Sequence, residues 1–221
     1  MQRAEQRLSI TTGALLLLLA AIAWLVLPLS MPIFFASWFV MTVAMMVPAT
    51  LPVLLLHRAN AARQGRGPLP TLAFLGGYLL TWAAAGLAAW AVVSGLGRLG
   101  LPTGAVLVVT GLYQLSPVKQ ACLKACRNPL TVLFELGRSD FAGGLRHGAW
   151  CVACCWSLMA VLLLVASMSL AWMAVLTVVF LLEKAHPRGP AVARAVGVLL
   201  VLLGLAGLIR PELLTRLAGG M

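Results

Sequence analysis

Two groups of cysteines near the middle of the 221-residue chain are the residues best suited to carry chemistry. One group places two cysteines four residues apart, and the other holds three within five residues; the five are Cys122, Cys126, Cys151, Cys154 and Cys155. Positions three or four apart share one face of a helix, so each group can direct several sulfurs to one side. Clustered thiolates suit a soft metal ion and also suit thiol–disulfide exchange.

Copper is the metal that the cysteine spacing favours. The usual zinc pattern draws four ligands from two Cys-x-x-Cys knuckles, and only the pair Cys151 and Cys154 has that spacing. Two or three sulfurs held on helices suit low-coordinate Cu(I) better, although zinc or iron could also bind. We therefore predict a metal site formed by both cysteine groups, with Cu(I) as the favoured ion.

Three methionines could extend this metal site. Met45 and Met46 lie together in an early apolar run, and Met159 follows Cys155 by one helical turn. Methionines in apolar helices usually serve packing, and the alternative is a path of thioether ligands for a soft metal.

The charged and imidazole side chains near the ends of the apolar runs have two interpretations each. Glu183 either reaches water or faces inward, as a metal ligand or as the partner of Lys119. We expect surface positions for the three histidines, His57, His147 and His186, rather than metal ligation.

The composition predicts a membrane protein. Hydrophobic residues make up 62% of the chain and charged residues 10%, and the mean hydropathy is +1.02. Several apolar runs reach the length that crosses a bilayer. The formal charge of +11 is spread over short connectors, which argues against nucleic-acid binding. The sequence predicts an all-α polytopic bundle in the lipid bilayer, with residues 1–221 as one integral membrane domain.

Seven membrane spans are predicted from these runs. They lie near residues 11–29, 33–56, 70–95, 103–121, 148–166, 169–184 and 191–209. One long apolar tract is divided near Ser167 to Ser169 to give the fifth and sixth spans. Between the fourth and fifth spans, residues 127–147 mix apolar and charged side chains, which predicts an interfacial segment with Gly143 and Gly144 as a hinge.

The distribution of Lys and Arg sets the predicted orientation. Thirteen of the 16 basic residues fall in connectors on one side and three on the other. The positive-inside rule then places the N-terminus in the cytoplasm of a bacterial cell, with the protein in its cytoplasmic (inner) membrane. Both cysteine groups lie at the cytoplasmic ends of their spans in this topology. Because the cytoplasm is reducing, structural disulfides are not expected there.

Several stretches of the chain resemble a known family. They are Met41 to Pro48 (MTVAMMVP), Gly111 to Pro129 (GLYQLSPVKQACLKACRNP), Gly148 to Met159 (GAWCVACCWSLM) and Trp172-Met173 followed by Glu183-Lys184. Over roughly residues 38–190 the chain resembles a bacterial family of uncharacterised, predicted metal-binding integral membrane proteins. The resemblance implies a helical membrane fold and metal binding, with the five cysteines as matching candidates and Met45, Met46 and Glu183 as further ones.

Three functions remain open at this point. The leading prediction is a protein that binds a soft metal, and transports it or delivers it to a protein partner. The second is a membrane thiol oxidoreductase or electron carrier, in which Cys154 or Cys155 attacks and another cysteine resolves. The third is a structural or assembly subunit of a membrane complex, with Gly197, Gly204 and Gly207 as either a contact face for a partner or a face for packing within the chain. No phosphate-binding glycine loop is found, and a binding protein is expected rather than an enzyme.

Orientation can be tested directly. Reporter fusions that end in the connectors at residues 57–69 and 119–147 should report a cytoplasmic location, because these connectors hold much of the positive charge. Detection of Arg63 or Arg138 outside intact cells would contradict both the topology and the argument against disulfides.

Overall fold

A computed structural model describes residues 2–30, 34–96, 102–128, 139–165, 169–210 and 212, with the backbone alone at residues 2–9, 28–30 and 96. These residues form helices and no strands, which confirms the all-α prediction. The helices are α1 (Gln2–Ser30), α2 (Phe34–Arg63), α3 (Leu69–Leu96), α4 (Thr103–Leu115), α5 (Pro117–Arg127), α6 (Asp140–Leu164), α7 (Leu170–Ala185) and α8 (Gly189–Ile209).

Among the described helices, five are long and apolar enough to cross a membrane: α1, α2, α3, α6 and α8. Helix α4 is apolar but has only 13 residues, and α7 has 16. Large apolar side chains on the outer faces, such as Leu25 at 77% and Ile209 at 79% exposure, suit contact with lipid. The helices are thus compatible with membrane insertion, and the count of seven crossings stays a prediction.

The predicted spans differ from the helices at several ends. Helix α2 continues to Arg63, and α6 already begins at Asp140. The predicted fourth span is two helices, α4 and α5, separated at Ser116. The turn predicted near Ser167 to Ser169 falls between α6 and α7, and residues 166–168 lie outside the described residues, as do residues 129–138 of the predicted interfacial segment.

The hinge predicted at Gly143 and Gly144 is wrong, because both residues lie in unbroken helix inside α6. Glycine serves close packing here. A Cβ atom on Gly144 would collide with the backbone carbonyl of Phe74 in α3, and one on Gly77 would collide with the carbonyl of Phe141 in α6. The missing side chains therefore let α3 and α6 approach backbone to backbone.

The chain divides into two compact units. The first unit comprises residues 1–86 and 125–152, and the second comprises residues 87–124 and 153–221. The division passes through α3, α5 and α6. Cys126 and Cys151 therefore belong to the first unit, whereas Cys122, Cys154 and Cys155 belong to the second.

In the first unit, α1 packs on α2 through one narrow apolar face. The buried side of α1 has two alanines flanked by two leucines, at Leu16, Ala20, Ala23 and Leu27. Their spacing follows the helical repeat, so they form one stripe. The stripe contributes to a core that includes Val43, Ala44, Val47 and Leu54 of α2. The alanines allow α2 to approach closely, and most of the other described side chains of α1 are exposed.

In the second unit, α4 and α8 cross at matched glycines. A Cβ atom on Gly104 would lie 2.7 Å from the carbonyl oxygen of Gly204, and one on Gly204 would lie 2.7 Å from that of Gly104. Seven residues along α4, a Cβ atom on Gly111 would lie 2.7 Å from the carbonyl oxygen of Gly197, and one on Gly197 would lie 3.0 Å from side chains of α4. Gly197 and Gly204, considered from sequence as a face for a partner, are therefore in contact with α4 of the same chain.

Replacement of Gly204 by alanine should destabilise the second unit by about 1–3 kcal/mol, because the added methyl group meets rigid backbone. Gly95, in the exposed end of α3, has no atom within 4 Å of a built Cβ and provides a matched control. Gly95→Ala should stabilise by up to about 1 kcal/mol, since it removes only backbone freedom. Thermal unfolding in detergent measures both, and equal stability of the two variants would contradict the glycine contact.

Candidate metal centre

All five cysteines are buried and carry thiols rather than disulfides. In the second unit, the Sγ atoms of Cys154 and Cys155 lie 3.5 Å apart on α6. Both side chains are completely buried, and Cys122 on α5, also in the second unit, is 7% exposed. We call Cys154 and Cys155 the sulfur pair. Among the hydrogen-bonding contacts of the described residues, the sulfur pair is the one that joins two candidate ligand sulfurs.

A helix break at Ser116 and Pro117 places Lys119 in the second unit. The residue before a proline avoids helical backbone, and Ser116 is extended with ψ 151°. Pro117 then opens α5, where a missing N–H costs nothing. The Ser116 hydroxyl oxygen accepts a hydrogen bond from the Lys119 N–H at 3.1 Å, which caps the new helix.

The ammonium of Lys119 is fully buried and has two partners in the second unit. It donates to a carboxylate oxygen of Glu183 at 2.8 Å and to the backbone carbonyl of Cys154. The second carboxylate oxygen of Glu183 accepts from the amide of Gln114 at 2.9 Å. Of the alternatives for Glu183, the structure has the inward one, paired with Lys119. Metal ligation by Glu183 stays a prediction.

The ion pair runs against the dipoles of its helices. Lys119 lies in the first turn of α5, where the helix end is positive, and Glu183 lies in the last turn of α7, where it is negative. Buried pairs of this kind add little stability over apolar residues, because both charges lose their hydration. Charged residues inside an apolar helical protein mark functional positions by default. The pair fixes the carbonyl of Cys154 and hence the backbone that carries the sulfur pair.

The remaining cysteines lie in the first unit. The Sγ atom of Cys151 lies 3.1 Å from the phenol oxygen of Tyr78, which accepts a hydrogen bond from Thr50 at 3.0 Å. Cys126 is 5% exposed at the end of α5. Met45 and Met46 are completely buried in α2, so neither contacts lipid. Their predicted role as metal ligands stays a prediction.

The surface positions expected for two histidines are wrong. His57 is 1% and His147 is 5% exposed, both in the first unit, whereas His186 is exposed as expected. The His57 ring lies 3.2 Å from Asp140 and 3.2 Å from the hydroxyl of Thr71. The sequence carries no signal for the pairing of His57 with Asp140, because the two residues are 83 positions apart. The packing of α2 against α6 brings them together.

Met159 is a further candidate ligand in the second unit. It is 2% exposed and lies one turn beyond Cys155 on α6. Among the described residues, no group of three or more His, Cys, Asp or Glu side chains is arranged to hold a metal ion. The prediction that both cysteine groups form one site involves residues of both units, and it stays a prediction.

Comparison with known proteins gives one informative match. The family model described as "PpoB2: Copper chaperone" matches residues 35–207, which contain all five cysteines and the Lys119 and Glu183 pair. No curated protein and no solved structure matches the chain.

The Lys119 and Glu183 pair predicts a non-additive pair of substitutions. Lys119→Met and Glu183→Gln should each destabilise the protein by about 3–5 kcal/mol, because each leaves one buried charge without its partner. The double variant should be more stable than either single variant, since no charge remains. Chemical unfolding in detergent measures all three. Additive losses would show that the two side chains do not interact.

Proposed function

Since the chain belongs to this PpoB2 copper-chaperone family, we propose that it is an integral membrane protein that binds Cu(I) through cysteine thiolates and delivers the ion to a protein partner. The family match supports a copper-related function. The observation that carries the proposal is the sulfur pair, in which two buried thiols of adjacent residues lie 3.5 Å apart. Copper is the cargo in this proposal.

The number of sulfurs in the pair suits a soft ion of low coordination number, and one metal ion can bridge their separation. Metal–sulfur bonds of zinc are about 2.3 Å long, so two sulfurs on an ion of similar size lie at most about 4.6 Å apart. The separation of the Cys154 and Cys155 sulfurs is within that limit. Zinc prefers four ligands in a closed site, whereas Cu(I) accepts two or three sulfurs. The pair therefore favours Cu(I) over zinc or iron.

The charge around the sulfur pair supports ligation by thiolates. Cu(I) bound by two thiolates carries a net negative charge, and a negative charge in an apolar interior needs a nearby cation. The buried Lys119 ammonium donates to the carbonyl of Cys154. We assign Glu183 the role of holding Lys119 in place, while Cys122 and Met159 of the same unit are further sulfur ligands or transfer positions.

The first unit supplies separate candidate positions. Cys126, Cys151, Met45 and Met46 are all buried there and carry the soft atoms that Cu(I) prefers. In the proposal they are further stations for the cargo. The seven-span topology with a cytoplasmic N-terminus places the cysteines at the inner face of a bacterial cytoplasmic membrane, from which a partner protein receives the ion.

Covalent geometry disfavours the thiol oxidoreductase alternative for the sulfur pair itself. Consecutive Cα atoms are 3.8 Å apart, whereas disulfides normally join Cα atoms about 4.4–6.8 Å apart. Cys154 and Cys155 are consecutive, so a disulfide between them would be strained. An oxidoreductase would need one of them to exchange with a more distant cysteine.

The double variant Cys154→Ser, Cys155→Ser should lose Cu(I) affinity, because serine hydroxyls are hard ligands. Removal of a residue that hydrogen-bonds to a metal ligand lowers the metal affinity about 10–100-fold. Removal of both ligands should therefore lower it by about 100-fold or more. Competition against a Cu(I) chelator under reducing conditions measures this.

Met159→Leu should slow the transfer of Cu(I) to a chelating acceptor, because leucine keeps the apolar bulk and removes the thioether. Met173→Leu, at a residue that is also buried, in α7, is the control.

Unchanged affinity in the double cysteine variant would reject the sulfur pair as the copper site. A trapped mixed disulfide between one of its cysteines and a partner protein, in a preparation without stoichiometric copper, would favour the oxidoreductase.

A further inference from the structure

Two polar side chains in the second unit are completely buried and lack hydrogen-bond partners at one atom each. Within the described residues, the amide oxygen of Gln114 and the hydroxyl of Ser157 have no partner, and both side chains are 0% exposed. Buried polar groups in folded proteins are almost always satisfied, and an ordered internal water is the usual partner when the protein supplies none. Each atom therefore indicates a polar molecule beside it.

Ser157 takes part in a contact between α4 and α6, and Gln114 lies one turn from that contact on α4. The hydroxyl of Thr110 donates to the carbonyl of Ser157 at 3.4 Å, and the hydroxyl of Tyr113 donates to the carbonyl of Ala153 at 2.6 Å. As the residue number rises on α4 it falls on α6, so the helices are antiparallel here. Gln114 follows Thr110 by one turn, about 6 Å along the axis. We call Thr110, Gln114 and Ser157 the polar seam.

The polar seam leads to the sulfur pair. Ser157 lies three residues beyond Cys154 on α6, which places both on one face. At the other end, Gln114 donates to Glu183, which holds the Lys119 ammonium beside the carbonyl of Cys154. Polar groups thus continue from the middle of α4 and α6 to the backbone of the sulfur pair.

An ion can reach the sulfur pair only through protein, because both sulfurs are completely buried. Passage of a cation through purely apolar packing carries a large desolvation penalty. A hydrated seam lowers that penalty, since water and hydroxyl oxygens replace the hydration shell step by step. Polar side chains within membrane helices are tolerated where they line such a wet interior.

We propose that the polar seam holds internal water and lowers the barrier for a soft monovalent cation to enter the interior of the second unit beside the sulfur pair. The proposal rests on the proposed function for its cargo, and its hydration part is independent of copper. In this proposal the seam changes the rate at which Cu(I) reaches the sulfur pair, whereas the cysteines determine the equilibrium affinity for Cu(I).

The hydration part is tested by hydroxyl-radical labelling of the full-length protein in lipid nanodiscs, with ¹⁸O-labelled water as the oxygen source. Residues 107–114 of the wild-type protein should take up the label despite their place inside the membrane protein. Ser157→Val, which fills the space and removes the hydroxyl, should suppress the label. Absence of label from this segment in the wild type would overturn the proposal.

The access part is tested by the rate at which Cu(I), supplied from a weak chelator under reducing conditions, loads the same preparation. Ser157→Val and the isosteric Thr110→Val should load severalfold more slowly and reach the wild-type affinity. Thr177→Val is the control, because the Thr177 hydroxyl bonds only within α7, to the carbonyl of Met173. Wild-type loading rates in both seam variants would overturn the proposed role of the seam in loading.

The two proposals fail in different ways. Unchanged copper affinity in the double cysteine variant rejects the sulfur pair, whatever the seam does. If the copper affinity depends on the cysteines as expected but the loading rate is the same in the wild type and the seam variants, only the role of the seam in loading is rejected.

Discussion

The candidate metal centre of the second unit depends on the buried ion pair between Lys119 and Glu183. Lys119 is placed by the proline break that opens α5, and its ammonium bonds the carbonyl of Cys154 as well as the carboxylate. One buried cation thereby connects α5, α6 and α7 at the position of the sulfur pair. Because each charge lies at the unfavourable end of its helix dipole, stability alone does not account for the pair. In the proposed function, the pair holds an anionic thiolate site in place.

Hydropathy predicted the helices well, and their contacts poorly. Long apolar runs mark α1, α2, α3, α6 and α8 because lipid demands continuous apolar surface. The same uniform apolarity hides which face of a helix meets another. Gly144, which closely approaches α3, was predicted together with Gly143 to form a hinge, since a glycine indicates a turn and a tight contact equally. Only the partner backbone distinguishes the two.

The candidate site was predictable to the extent that its chemistry is local in sequence. The cysteines at 151, 154 and 155 share α6, so their clustering was visible from spacing. Glu183 as the partner of Lys119 remained one of several alternatives, because the two are 64 residues apart. His57 was misplaced at the surface for the same reason. The sequence carries no signal for the unsatisfied polar atoms of Gln114 and Ser157, because whether a polar atom has a hydrogen-bond partner depends on the residues packed around it.

X-ray absorption spectroscopy of the Cu(I)-loaded protein tests the central claim most directly, because it reports which elements bind the ion. The account predicts that sulfur atoms alone coordinate copper in the wild-type protein and that this sulfur coordination is lost or replaced by lighter atoms in the Cys154→Ser, Cys155→Ser double variant. Coordination by nitrogen or oxygen in the wild type, or an unchanged spectrum in the double variant, would contradict it.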